Sequence, residues 1–327
     1  MGTIKPVRLK DAYSGTGVVP FRDLSSEPGP PSATASIIST SNDVMVEPSP
    51  QLPASSSVTS ATAPPLSPEA ASLYREVLLA MNERQIPYAV GGAFALEKYT
   101  GIWRLTKDLD LFVQPESVQP ALENLRQHNF WCETLDPVWL SKAHRADYFV
   151  DLISGMSNAV IVVDESWMRR TQPATIAGVR SQIISPEDLV ASKLFVTRRE
   201  RFDGADIAHI IYRTRGMLDW GRILELAGEH WEIVLWELIL FRYIYPAHGD
   251  FIPDALWQGL LSRYQELLAH PDRNAPFRGS LVDENIFSID VNDWGLEDMQ
   301  AEYRARQLEK QCRFSRQPSA SGRQSAR

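Results

Sequence analysis

Cysteine and histidine are scarce in this chain. Its 327 residues include two cysteines, Cys132 and Cys312, which lie far apart and outside any Cys-x-x-Cys or Cys/His spacing. That excludes a disulfide framework and a zinc module, and makes a reducing cytosol the default compartment. The six histidines are scattered and no His-Glu-x-x-His occurs, so a zinc hydrolase is set aside. There is no Gly-x-x-x-x-Gly-Lys loop, which excludes a P-loop ATPase. "SGTGVVP" carries Pro20 where a dinucleotide fingerprint needs a third glycine, and no strand precedes it. Cationic excess is missing as well: 33 Lys and Arg face 41 Asp and Glu, for a net charge of -8 and a pI near 5.4. Such a surface is not built for non-specific contact with nucleic acid or membrane, although a local basic groove is compatible with it. The most apolar run, "WEIVLWELILFRYIYP" at 231–246, is too short to cross a bilayer and is broken by Glu232, Glu237 and Arg242; it reads as a buried helix. The opening "MGTIKPVRLKDAYSG" has no apolar signal core, and Pro6 stands where a myristoylation signal needs Ser or Thr. A cytoplasmic protein with no membrane partner is expected.

What is present divides the chain by composition. Residues 1–67 end in a long Ser/Pro/Ala/Thr-rich stretch with almost no aromatics, which cannot bury enough apolar surface to offset its ordering entropy and is expected to be a disordered tail. Residues 311–327 are Ser- and Arg-rich and are expected to form a second tail. Order should begin at Ser67-Pro68-Glu69, an N-cap followed by a proline suited to the first helical position, with Leu73, Val77, Leu78 and Met81 at helical spacing. A short strand "IPYAV", a Gly91-Gly92 turn, a helix "AFALEKY" and a strand "DLDLFV" follow. Next come an amphipathic helix with Leu122, Leu125 and Phe130, then strands at "FWCETL", "DYFVDLIS", "AVIVV" and the "ATIAGVRSQII" pair. These make 68–184 a mixed α/β layer. At 185 the pattern turns helical, starting with "SPEDLVASKLFVTRRERF", and 185–275 reads as a helical bundle region whose core takes in Trp231, Trp236, Phe241 and Tyr243. Residues 276–310 form an extension with a helix near 296–310. The fold class is α/β (α+β), a mixed β-sheet with flanking helices followed by a helical region.

The chemistry sits in "YAVGGAFALEKYTGIWRLTKDLDLFV", residues 88–113. In a strand, residues two apart face the same way, so Asp108 and Asp110 project together while Leu109, Leu111 and Val113 face the other side. Two readings fit that pair alone: the acids are solvated at a sheet edge, or a divalent cation with hard oxygen ligands neutralises them on a partly buried face. Gly91-Gly92 lies between a strand and a helix, where a missing Cβ lets backbone amides approach a phosphate at the positive end of the helix. A third carboxylate, Asp151, stands in the apolar strand "YFVDLIS", where a charge has no packing reason to be.

Gly-Gly, a short helix, Asp-hydrophobic-Asp-hydrophobic and a later strand Asp resemble, in that order, the DNA polymerase β-like nucleotidyltransferase superfamily. Within it, the stretch looks most like minimal, aminoglycoside and abortive-infection-toxin-like nucleotidyltransferases, over roughly residues 70–215. One departure is the fifteen-residue gap between Gly92 and Asp108, slightly longer than is common there. The resemblance implies that Asp108, Asp110 and Asp151 bind Mg²⁺ (or Mn²⁺) and are the catalytic acids of a two-metal nucleotidyl transfer from an NTP. It implies that Gly91 and Gly92 lie against the β and γ phosphates, and that Lys193, on the first helix after 185, reaches the triphosphate. Asp206 either orients that lysine or caps a helix, and Arg104, Thr106 and Lys107 are candidate phosphate contacts. Arg198, Arg199 and Arg201 are either a basic rim or a solvated helix face. The acceptor, whether tRNA, protein or small-molecule hydroxyl, and the oligomeric state are not legible. A non-catalytic nucleotide-binding or regulatory module of the same fold is the alternative, and a toxin of a toxin–antitoxin pair is a special case of the enzyme.

Overall fold

The computed structural model describes residues 66–315, all within one compact unit. The 1–67 tail expectation, save its last two residues, lies outside the described residues, as does everything beyond 315. The first helix, α1 (Pro68–Glu83), starts where the sequence places it: the Ser67 hydroxyl accepts the Ala70 N–H at 3.1 Å, and Leu73, Val77, Leu78 and Met81 are buried. After it come β1 (Ala89–Val90), α2 (Gly92–Thr100), β2 (Asp108–Phe112), α3 (Pro115–Gln127), β3 (Trp131–Asp136), β4 (Leu140–Arg145) and β5 (Tyr148–Ile153). The layer is completed by α4 (Glu165–Arg169) and the hairpin of β6 (Gln172–Ile176) and β7 (Val179–Ile183).

Seven strands form one mixed sheet in the order β3-β4-β5-β2-β1-β7-β6. The central pairing is parallel, β2 beside β5, with Asp110 directly opposite Asp151 and Leu111 opposite Leu152. Leu109, Leu111, Val150 and Leu152 are fully buried, so the acids on these strands are forced to the other face. Strand β4 escapes a sequence reading because "LSKAHR" shows no apolar alternation; its inward positions are the small Ser141 and Ala143, and its ladder to β5 makes it a strand. "AVIVV", expected as a strand, is a loop with a single bridge, Gly155 to Val162. Its apolar content serves packing instead, since Ile161 and Val163 are buried.

After residue 185 the chain is helical: α5 (Pro186–Ala191), α6 (Gly204–Thr214), α7 (Trp220–Ala227), α8 (Trp231–Ile244), α9 (Asp254–Ala269), α10 (Gly279–Val282), α11 (Ser288–Asn292) and α12 (Met299–Ser315). The long helix expected from Ser185 through the arginines does not form. Helix α5 stops at Ala191, the chain turns on the buried Leu194 and Phe195, and β8 (Thr197–Arg198) pairs with β9 (Arg201–Phe202) as a separate hairpin. Arg198, Arg199 and Arg201 therefore sit on or between these strands and not on a helix face. Trp231 and Phe241 are buried as expected, but Trp236 and Tyr243 are exposed because they lie on the outward side of α8. Helix α12 continues to Ser315, five residues into the stretch read as tail. Helices α5 and α6 pack on α2, which brings the helical region against the mouth of the sheet.

Candidate active site

The Gly91-Gly92 turn ends β1 and opens α2. Gly91 is the residue before the helix and supplies no side-chain cap, so the first amides of α2 keep their donors free for a ligand. Both glycines are required by close approach. A Cβ on Gly91 would lie 2.2 Å from the Phe112 ring, and one on Gly92, whose φ is +51°, would lie 1.6 Å from Asp110 Oδ2. The start of α2 is thus pressed directly on the acid of the neighbouring strand.

Asp108, Asp110 and Asp151 each offer one carboxylate oxygen, and the three oxygens lie within 4.8 Å of one another. Asp108 is steadied by the Thr106 hydroxyl, which donates to its Oδ1. Asp151 Oδ1 accepts from Lys142 Nζ at 2.5 Å, and that ammonium also lies 4.0 Å from the Phe149 ring centre. Among the described residues no side chain donates a hydrogen bond to the Asp110 carboxylate. Burial, then Asp108, then Asp151 push its pKa up to about 7, against weaker pulls from Lys193 and Arg201. Burial also raises Asp151, opposed by Lys142. Beneath the cluster, the fully buried Tyr74 hydroxyl has no partner, and burial followed by Asp108 raises its pKa. Three hard oxygens, of which only the Asp151 carboxylate has a cationic partner in Lys142, beside an orphaned hydroxyl fit a bound divalent cation.

The acids line a cleft of about 630 Å³ together with Gly92, Arg104, Thr106, Lys193 and Asp206. Lys193 lies in the turn just past α5, not on the helix, and is buried between Asp203 at 2.8 Å and Asp206 at 2.9 Å. Asp206 sits in the first turn of α6 and binds Lys193 and Arg104, so it orients cations and caps nothing. Lys107 is exposed and outside the cleft lining; its carbonyl accepts the Phe149 N–H within the sheet. Gly91 stands one residue behind the cleft wall. The sequence reading missed Lys142, which lies on the unread strand, and Asp203. The latter holds both Lys193 and Arg201, and although burial raises its pKa, the bonds from Arg201 and Lys193 bring it below the usual range. Its signal was present in "RFDGAD", an acid three residues before Asp206.

The chain belongs to the family described as nucleotidyltransferase of unknown function (DUF6036), which matches residues 74–243, just over half its length. No curated relative matches the chain. Among solved structures it is similar to the antibiotic-resistance factor ANT(2'')-Ia, at 18% identity over 56% of this chain and 96% of that one, TM-score 0.36. A second is an antigenic nucleotidyltransferase-like protein from Paracoccidioides brasiliensis, at 18% identity over 58% and 96%, TM-score 0.36. A third is a lincosamide antibiotic adenylyltransferase with lincomycin bound, at 13% identity over 44% and 94%, TM-score 0.31. Among the described residues no helix is long and apolar enough to cross a membrane.

Proposed function

We propose that the chain transfers a nucleoside monophosphate from an NTP to an acceptor hydroxyl, dependent on Mg²⁺ or Mn²⁺. The observation that carries this reading is the cluster of Asp108, Asp110 and Asp151 beneath the open N-terminus of α2. Asp108, Asp110 and Asp151 would hold the cation, which when bound would supply charge neutralisation for the triphosphate and for the oxygens entering and leaving phosphorus. The first amides of α2 face the phosphate tail and favour its negative charge. Arg104, half exposed at the cleft rim and tied to Asp206, adds a guanidinium that follows the phosphates. Asp151 Oδ2, the oxygen not bound to Lys142, takes the proton of the acceptor hydroxyl. The acceptor oxygen bonds to the α-phosphorus, the bond from that phosphorus to the bridging oxygen breaks, and pyrophosphate leaves with the electron pair. Lys193 serves less as a phosphate hand than as the pin of the Asp203–Asp206 wall, because both carboxylates already hold its ammonium.

The test is incubation with α-labelled NTPs, Mg²⁺ and pools of tRNA, protein and small molecules. A labelled product that disappears in the Asp108→Ala/Asp110→Ala variant supports the transferase; no product from any pool and no Mg²⁺-dependent NTP binding refute it. One observation favours the non-catalytic reading, namely that Asp151 already has a cationic partner in Lys142. A module of that kind binds nucleotide in a calorimeter and releases no pyrophosphate.

A further inference from the structure

Resting on that reading, we propose that Arg304, on α12 and outside the family segment, is the positioning residue of the acceptor side of the cleft. The two sides are set by strand order. The phosphate side follows β1 at Gly92; across β2 and β5 lie the β3–β4 turn with Trp139 and the loop after β5 with Met156, Ser157 and Asn158, all lining the cleft.

Arg304 joins these two loops. Its Nη2 donates to both Asp136 oxygens, at 3.0 and 2.9 Å, and its Nη1 donates to the Ser157 carbonyl at 2.8 Å. Asp136 in turn accepts the Trp139 indole N–H at 3.2 Å and the Val138 N–H at 2.9 Å. One guanidinium therefore sets the Trp139 ring through Asp136 and the 156–158 loop directly, with the planar two-point geometry that a lysine cannot match. The same C-terminal segment ties down the rest of the loop: Gln300 Nε2 donates to the Ser157 carbonyl at 3.4 Å, and the Leu281 carbonyl accepts from Asn158 Nδ2 at 3.0 Å. Arg198 occupies the Ser157 hydroxyl at 3.0 Å. With the Ser157 carbonyl and the Asn158 amide engaged by the C-terminal segment, and the Ser157 hydroxyl held by Arg198 from within the cleft lining, the wall offers the acceptor the Trp139 ring and the Met156 side chain. Selection there works chiefly by stacking and apolar contact with a ring-bearing or apolar acceptor.

The experiment compares full-length wild type, Arg304→Ala, Arg304→Lys and Asp136→Asn. Hydrogen exchange reads the wall: in Arg304→Ala the amides of 136–140 and 154–160 exchange at least tenfold faster while β2 and β5 keep their protection, and Arg304→Lys recovers part of the loss. Asp136→Asn gives the same pattern in weaker form and serves if Arg304→Ala does not fold. Calorimetry with Mg·ATP gives a Kd within twofold of wild type in every variant. With α-labelled ATP and a cell extract as acceptor source, the half-saturating extract concentration rises at least fivefold in Arg304→Ala. Unchanged exchange in both loops overturns the proposal, as does an ATP Kd that weakens in step with the acceptor. A wild type that neither binds Mg·ATP nor labels anything overturns the proposed function instead, and the exchange pattern still decides whether Arg304 holds the wall.

Discussion

Replacing Gly92 with alanine separates crowding at the site from ordinary backbone strain. The new Cβ would lie 1.6 Å from Asp110 Oδ2 and 2.7 Å from its Cγ. The carboxylate must retreat by about 2 Å to reach ordinary contact, and a misplacement of about 1 Å at a reacting centre costs on the order of 100-fold in rate. The φ of +51° adds strain of about 1–2 kcal/mol for any L side chain. Gly295 is the matched control: its φ is +73° and nothing lies within 4 Å of its would-be Cβ. Gly295→Ala therefore carries the strain without the collision. Both variants are expected to lose about 2–8 °C in Tm, measured by circular dichroism. Only Gly92→Ala is expected to lose at least 100-fold in label transfer from α-labelled ATP and at least tenfold in Mg·ATP affinity. If the two variants bind and transfer alike, the close packing of Gly92 on Asp110 is not what builds the site.

Three further outcomes follow from buried charge. Lys193→Met leaves Asp203 and Asp206 with only Arg201 and Arg104, and urea unfolding is expected to show a loss of about 3 kcal/mol; a loss under about 1 kcal/mol would show that those partners suffice. Glu237 is buried with neither oxygen bonded, and burial lifts its pKa to about 7. Its folded pKa exceeds the unfolded one, so its share of stability is whole below about pH 4 and is lost as pH rises through 7. Relative to Glu237→Gln, the wild type should therefore weaken by about 3 kcal/mol between pH 5 and pH 8, and parallel curves would refute this. Asp110 obeys the same sign, with its pKa near 7 in the metal-free protein. In EDTA at pH 8, adding Mg²⁺ should raise Tm, with a smaller gain at pH 5 and in Asp110→Asn; an equal gain at both pH values in wild type and variant would place the cation elsewhere.

The acids were legible because a charge inside an apolar alternating strand has no packing explanation. The register Asp110 to Asp151 then follows from burying Leu109, Leu111, Val150 and Leu152 together. Helix α1 was legible from its Ser67 cap and its clear apolar face. Strand β4 was not, because its strand character comes from its neighbours and its inward side chains are small. With it went Lys142, whose role exists only once β4 lies beside β5. The 159–163 run misled in the opposite direction, since valine and isoleucine there are selected by the core they fill and not by a ladder. Lys193 and its partner Asp206 were found, but Asp203, the other carboxylate on that ammonium, was not, because an ion triad between a turn and a later helix leaves no local period.

The parallel pairing of β2 with β5 makes geometry and chemistry share a single ruler. Sliding one strand by a residue would turn both its leucines and its carboxylates the wrong way, so the greasy side fixes the placement of the acids even though the acids repel one another. An insertion in the short bend between β4 and β5, at Ala146-Asp147, is therefore predicted to be tolerated only if it is absorbed in the bend itself. One that feeds into the strand would spoil the site and the packing in the same stroke.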